Sequence, residues 1–298
     1  HLQNTPWHDV AYCNWYSAHT QSEELRPHRH ELSGDLLRKL LCGNLFPIHA
    51  AISRTTAVLN VGGFDPTLRG MEDWDLWLRV ALAGSEFGHV DHLLCHYVIH
   101  EQSNSSAYGN LNKGRLRALD KFYASSQAQE YIAFREPVYA AAFAQNAIAS
   151  LAHGDMESCM DALTQAGRFD VSILTNIDVL YGIACANQPI QFRGTGYGLE
   201  FEEVRESLIA VLSEVLGVVE CDMQKWKTIW AMAELVVGRL AYDGAKYSLA
   251  LRAFGRALRL DVSTYWRSEG IQWTLRSTAR LMASRFAIMS IWQSSGGL

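Results

Sequence analysis

Ten of the eleven histidines lie before residue 113, and 26 alanines lie after it against eight before. No single architecture explains both halves. Alanine is the strongest helix former, and an alanine-rich stretch with apolar residues three and four apart folds as packed helices. The first part instead holds four of the six prolines and runs of aromatic and β-branched residues, which is mixed α/β composition. A length of 298 residues also favours two domains. The boundary is placed in the polar, glycine-containing stretch SNSSAYGNLNKG, giving domains 1–112 and 113–298.

The charge divides the same way. Residues 1–112 carry 12 acids against 7 Lys and Arg, so the net charge of −5 sits entirely in the first part. No basic field points to nucleic acid. No apolar run reaches the ~18 residues of a membrane span. The six cysteines lie far apart with no CxxC. That pattern fits reduced thiols and a cytoplasmic location. The chain opens on His1 and reads as a piece of a longer protein.

Along the first part, residues 9–18 and 86–100 read as strands, 34–43 as a short helix, and 50–64 as a strand, a helix and a glycine turn. The second part reads as helices over 137–152, 156–166, 201–219, 226–242, 247–260 and 271–292. GTGYG (194–198) lacks the strand and helix a phosphate loop needs, and reads as a linker. The last helix carries Arg276, Arg280 and Arg285 beside Met282, Phe286, Met289 and Trp292. It packs on the other helices or, alternatively, lies on the inner membrane face.

Gly238, Ala250, Phe254 and Ala257 are spaced by 12, 4 and 3 residues. They resemble the small and aromatic positions of a tetratricopeptide helix–turn–helix unit. Glu234 and Val262 stand where that unit has tryptophan and proline. The resemblance implies an array of helical hairpins that binds a protein partner. A plain helical bundle has the same small-residue contacts.

The densest chemistry is VGGFDPTLRGMEDWDLWLRVALAG (61–84). Gly62, Gly63 and Gly70 permit left-handed backbone, Asp65-Pro66 favours a turn, and Glu72, Asp73 and Asp75 occupy the first turn of a helix. The helix dipole favours acids there, so capping explains them without catalysis. Trp74, with Trp77 or Leu78 and Ala81, forms an apolar face. Asp75 and Arg79 are placed to pair on the surface.

The order GNLFPIHAAISR, then VGGFDPTLRGMEDWDLWLR, then YVIHEQSNSS resembles the acceptor half of family 2 glycosyltransferases of GT-A fold. The resemblance covers roughly residues 1–106. It implies an α/β, partial GT-A domain whose nucleotide-binding half lies upstream, followed by the helical region. It implies transfer of a sugar from a nucleotide-sugar donor to a glycan or lipid-linked acceptor hydroxyl, with inversion. Asp73 is then the catalytic base, which must be held ionised and aimed at the nucleophile. Gly63, Gly70, Met71 and Glu72 line the acceptor side. Trp74 stacks on a sugar or belongs to the core.

The resemblance also implies a divalent metal, Mn²⁺ or Mg²⁺, on the donor diphosphate. It is contacted by His100 and an upstream DxD motif that this chain lacks. Val98 replaces the family's usual arginine. Asp73-Trp74-Asp75 matches DxD by letter only, because it opens a helix rather than following an apolar strand. His89, His92, His96 and His100 would share a face on a helix and bind zinc, but the segment reads as a strand. The rival to an enzyme is a binding scaffold: helical repeats carrying a degenerate transferase domain.

Overall fold

The computed structural model describes residues 1–19, 25–29, 34–68, 70–99, 108–188 and 196–281. The chain divides into two compact units, His1–Ala142 and Phe143–Leu298. The first is α/β and the second is helical.

The first unit is built around β1 (Val10–His19). β4 (Phe87–Ile99) pairs with it in parallel along its whole length, from Val10 opposite Phe87 to His19 opposite Ile99. The register slips between Cys13 and Trp15. The other edge of β1 is shared by two short antiparallel strands, β2 (Arg26–His28) and β3 (Ala51–Ser53). Val10 to Trp15 are all buried, so β1 is covered on both faces, and its one polar residue there, Asn14, is hydrogen-bonded to Asp91 and His89.

Three helices complete this layer: α1 (Leu36–Leu41), α2 (Thr55–Asn60) and α3 (Glu72–Leu82). Phe46 stacks on Tyr12 with ring centroids 5.0 Å apart and meets Trp77 at 5.8 Å. Trp77 in turn packs edge-on against Phe87. This aromatic column fastens α3 to the sheet, and aromatic pairs add about 1 kcal/mol each beyond their buried area.

α4 (Tyr108–Ala124) occupies much of the stretch expected to be a boundary loop. The expectation failed because glycines and asparagines mask its apolar face. Ala118, Leu119 and Phe122 are nearly inaccessible, and burial outweighs weak propensity. The compact unit continues through a 3₁₀ stretch (Ser126–Phe134) into the start of α5 (Arg135–Ala152).

The second unit continues through α6 (Met156–Phe169), a 3₁₀ turn (Val171–Thr175) and α7 (Ile177–Ala184). It then runs through α8 (Phe201–Leu216), α9 (Met223–Asp243), α10 (Tyr247–Leu260) and α11 (Val262–Arg267). α12 follows over 270–281. α7 and α11 were not anticipated. The rest of the expected last helix, with Arg285, Met282, Phe286, Met289 and Trp292, lies outside the described residues. So do Gly194 and Thr195 of the linker.

In the α9–α10 hairpin, Gly238 faces the ring of Phe254, and any Cβ there would sit 2.6 Å from Phe254 Cδ1. Ala250 and Ala257 are fully buried on either side. The α5–α6 hairpin repeats this design. Ala147, Cys159, Leu163 and Ala166 keep the 12, 4 and 3 spacing and are all inaccessible. Both hairpins then end alike, in AGRFDVS (166–172) and ALRLDVS (257–263). Asp170 and Asp261 share an extended backbone, and each accepts a bond of 2.9 Å from the N–H of the serine two residues on. This internal repeat is visible in the sequence once the hairpin ends are aligned.

Glu234, at the position of the tetratricopeptide tryptophan, is only 3% exposed. Arg205 from α8 and Arg256 from α10 neutralise it at 2.7 and 2.8 Å. Glu234 is thus the centre of a buried ion triplet. Truncating one partner of such a group is costlier than replacing all of it.

Candidate active site

The 61–70 loop is shaped by its glycines and fastened by a charge chain. Gly63 has φ +71° and Gly70 φ +83°, in the left-handed region, where other residues are strained. Gly70 has a second constraint, since a Cβ would lie 2.8 Å from Leu111 Cδ2 on α4. Arg79 donates to the carbonyls of Val61 at 2.5 Å and Gly63 at 2.8 Å. It also binds Asp75 Oδ2 through Nη2 at 2.6 Å. Lys121 of α4 closes the chain, reaching Asp75 Oδ1 at 3.1 Å and Asp65 Oδ2 at 2.7 Å.

The Asp75–Arg79 pair is therefore not a surface pair: Asp75 is 2% exposed, because α4 covers it. Asp65 is equally committed, taking both the N–H and the hydroxyl of Thr67. Lys121 and these bonds hold its carboxyl well below the usual carboxylate range. Gly63 belongs to this scaffold through its carbonyl.

Asp73 is different. It lies on the first turn of α3, half-buried, with Gly70, Met71 and Glu72 just before it. Its Oδ1 accepts the N–H of Trp74 at 2.8 Å. Its Oδ2 accepts a bond of 2.9 Å from Asn44 Nδ2, in the loop after α1. Burial raises its proton affinity above the ordinary value; the Asn44 and Trp74 donors oppose the rise, and the Glu72 charge adds to it. Among the described residues no cation pairs with it. Glu72 is half-buried, and its Oε2 is enclosed with no hydrogen-bond partner. Met71 holds the N-cap position and supplies no side-chain cap.

Trp74 belongs to the core, with 2% exposure and its Nε1 donating to the Leu40 carbonyl at 2.6 Å. Neither of its faces is offered to a ligand. The structure thus groups Asp73, Glu72, Met71 and Gly70, sets Gly63 in the supporting turn and withdraws Trp74. His100 lies outside the described residues. Asn44 escaped the sequence reading, although it lies within GNLFPIHAAISR. No local spacing reveals a loop amide that reaches a helix 29 residues on.

The histidines do not converge. β4 is a strand, His92 and His96 are exposed along it, and His89 is hydrogen-bonded to Asn14 Oδ1 at 3.0 Å. Among the described residues no group of three His, Cys, Asp or Glu could hold a metal ion. Asp73 and Asp75 cannot share one, because residues two apart on a helix face ~200° apart and Asp75 is already ion-paired. The divalent ion of the resemblance therefore has no ligand set among the described residues. Among the described residues no helix is long and apolar enough to cross a membrane. No family model matches the chain, and no curated protein or solved structure matches it either.

Proposed function

We propose that the first unit is the acceptor side of a glycosyltransferase, with Asp73 as general base. One observation carries this reading. Of the acids around the glycine loop, Asp75 and Asp65 are neutralised by Arg79 and Lys121. Asp73 is aimed by neutral donors only and stays half-open. A carboxylate that is oriented but not ion-paired, with raised proton affinity, is a competent proton acceptor.

The chemistry follows from that placement. Asp73 takes the proton of an acceptor hydroxyl as that oxygen attacks the anomeric carbon of a nucleotide sugar. The bond to the diphosphate breaks, and the configuration inverts. Gly70 and Met71 give the acceptor access beside the carboxylate. Burial keeps the proton affinity of Asp73 high, and the Glu72 charge adds to it.

The test is nucleotide release from a panel of nucleotide sugars, by this chain in the context of its full coding sequence. Mn²⁺ or Mg²⁺ and glycan or lipid-linked acceptors are supplied, with Asp73→Asn beside the wild type. Loss of the base lowers turnover by about 10²–10⁴-fold and leaves donor binding intact. Turnover surviving in Asp73→Asn removes the assignment.

A further inference from the structure

The helical unit contains a cavity of about 370 Å³, within the size range of small-molecule sites. Its walls are apolar: Ile177, Met232, Leu235, Phe254 and Trp273, with Ser268 and the exposed Glu269 also lining it. One cation faces it, Arg239 of α9.

Arg239 is half-buried, and its surroundings are unusual. Its guanidinium lies over the ring of Trp273 at 4.9 Å and over that of Tyr181 at 5.7 Å. Among the described residues it makes no hydrogen bond, and no carboxylate lies within ion-pair distance. Asp243, one turn on, feels its charge without pairing with it. The other half-buried arginines of this unit behave differently: Arg205 and Arg256 are both spent on Glu234. The two aromatic rings flank the guanidinium, and among the described residues its N–H edge stays unused. Such an edge is matched by a carboxylate, which accepts two parallel bonds.

We propose that this cavity binds a small carboxylate with an apolar body, the acid on Arg239 and the body against Met232, Leu235 and Phe254. The exposed carboxylate of Glu269 repels a second anion, so the ligand carries a single acid group. This site is independent of the sugar-transfer reading, since every residue of it belongs to the second unit.

The probe pair is octanoate and 1-octanol, which share a chain and differ in the charge. Binding to the full chain is measured by titration calorimetry, with far-ultraviolet circular dichroism to check folding. Wild type binds octanoate at least about tenfold more tightly than octanol, the worth of one charged hydrogen-bonded pair. Arg239→Gln abolishes that preference. Ser268→Phe, which adds bulk to the lining without touching the cation, weakens both ligands. Arg276→Gln, which removes the other cation over Trp273 and lines no part of the cavity, changes neither. Equal affinity for the two probes, a preference that survives Arg239→Gln, or no octanoate binding up to its solubility limit would each overturn the site.

Discussion

Asn44 Nδ2 donates to Asp73 Oδ2 at 2.9 Å, joining the loop after α1 to the first turn of α3. The bond favours the charged carboxylate and offsets part of the rise that burial causes. Asn44→Ala therefore moves the Asp73 titration upward, as carboxyl ¹³C shifts would read directly. In the active protein it moves the acid limb of kcat/KM the same way. An unmoved titration removes Asn44 as the positioning residue and leaves the role of Asp73 to the turnover test.

The same raised affinity predicts a stability effect of Asp73. The folded state holds its proton more tightly than the unfolded one, whose carboxyl titrates near the ordinary 3.8. Stability is then lost as pH rises through that window. Asp73→Asn removes the cost, so its melting temperature at pH 7 equals or exceeds the wild type while turnover collapses. A clear drop in melting temperature would make Asp73 a structural cap.

Asp75 behaves in the opposite way. It is inaccessible and shared by Arg79 and Lys121. Asp75→Ala leaves Arg79 without its acid and loosens the glycine turn. The expected cost is about 3 kcal/mol, the worth of a broken buried pair, read from urea unfolding of the chain. A change below about 1 kcal/mol, typical of a surface pair, would contradict the buried network.

Gly238→Ala tests the hairpin contact. Alanine is favoured over glycine in a helix by about 1 kcal/mol, yet its Cβ would meet the Phe254 ring. Overpacking outweighs propensity, and the net loss is about 1–3 kcal/mol. Adding Phe254→Leu recovers part of it. A stabilised single variant would show that the ring yields freely.

Asp261 sets an acid limit on the second unit. Burial pushes its carboxyl up, but bonds from Thr264, Thr228 and Ser263 outweigh this and hold it well below the carboxylate range. Its stabilisation is present above the unfolded value of about 3.8 and is lost as pH falls below it. Asp261→Asn is therefore less stable than wild type at pH 7, and the two converge towards pH 2. Urea midpoints at pH 7, 4 and 2 measure the difference; a constant gap would exclude the linkage.

Most elements were legible because their signals are local. VAYCNWYSAH announces β1, Gly62-Gly63 announces the turn, and the 12, 4 and 3 spacing of Gly238 to Ala257 announces a packed hairpin. α4 was not legible, since its glycines and asparagines hide an apolar face that only a covering surface reveals. The acids at the helix mouth were also visible as a group. Their division of labour was not.

The sequence by itself determined the two-part organisation, the helical character of the second part and the position of the acid cluster. Composition and periodicity act residue by residue along the chain. Only the tertiary structure decided which acid is left open. Lys121 is 46 residues from Asp75 and Asn44 is 29 from Asp73, and no propensity encodes such distances. Folding brings a cation to one carboxylate and an amide to the other. The first becomes part of the scaffold, and the second remains available for chemistry.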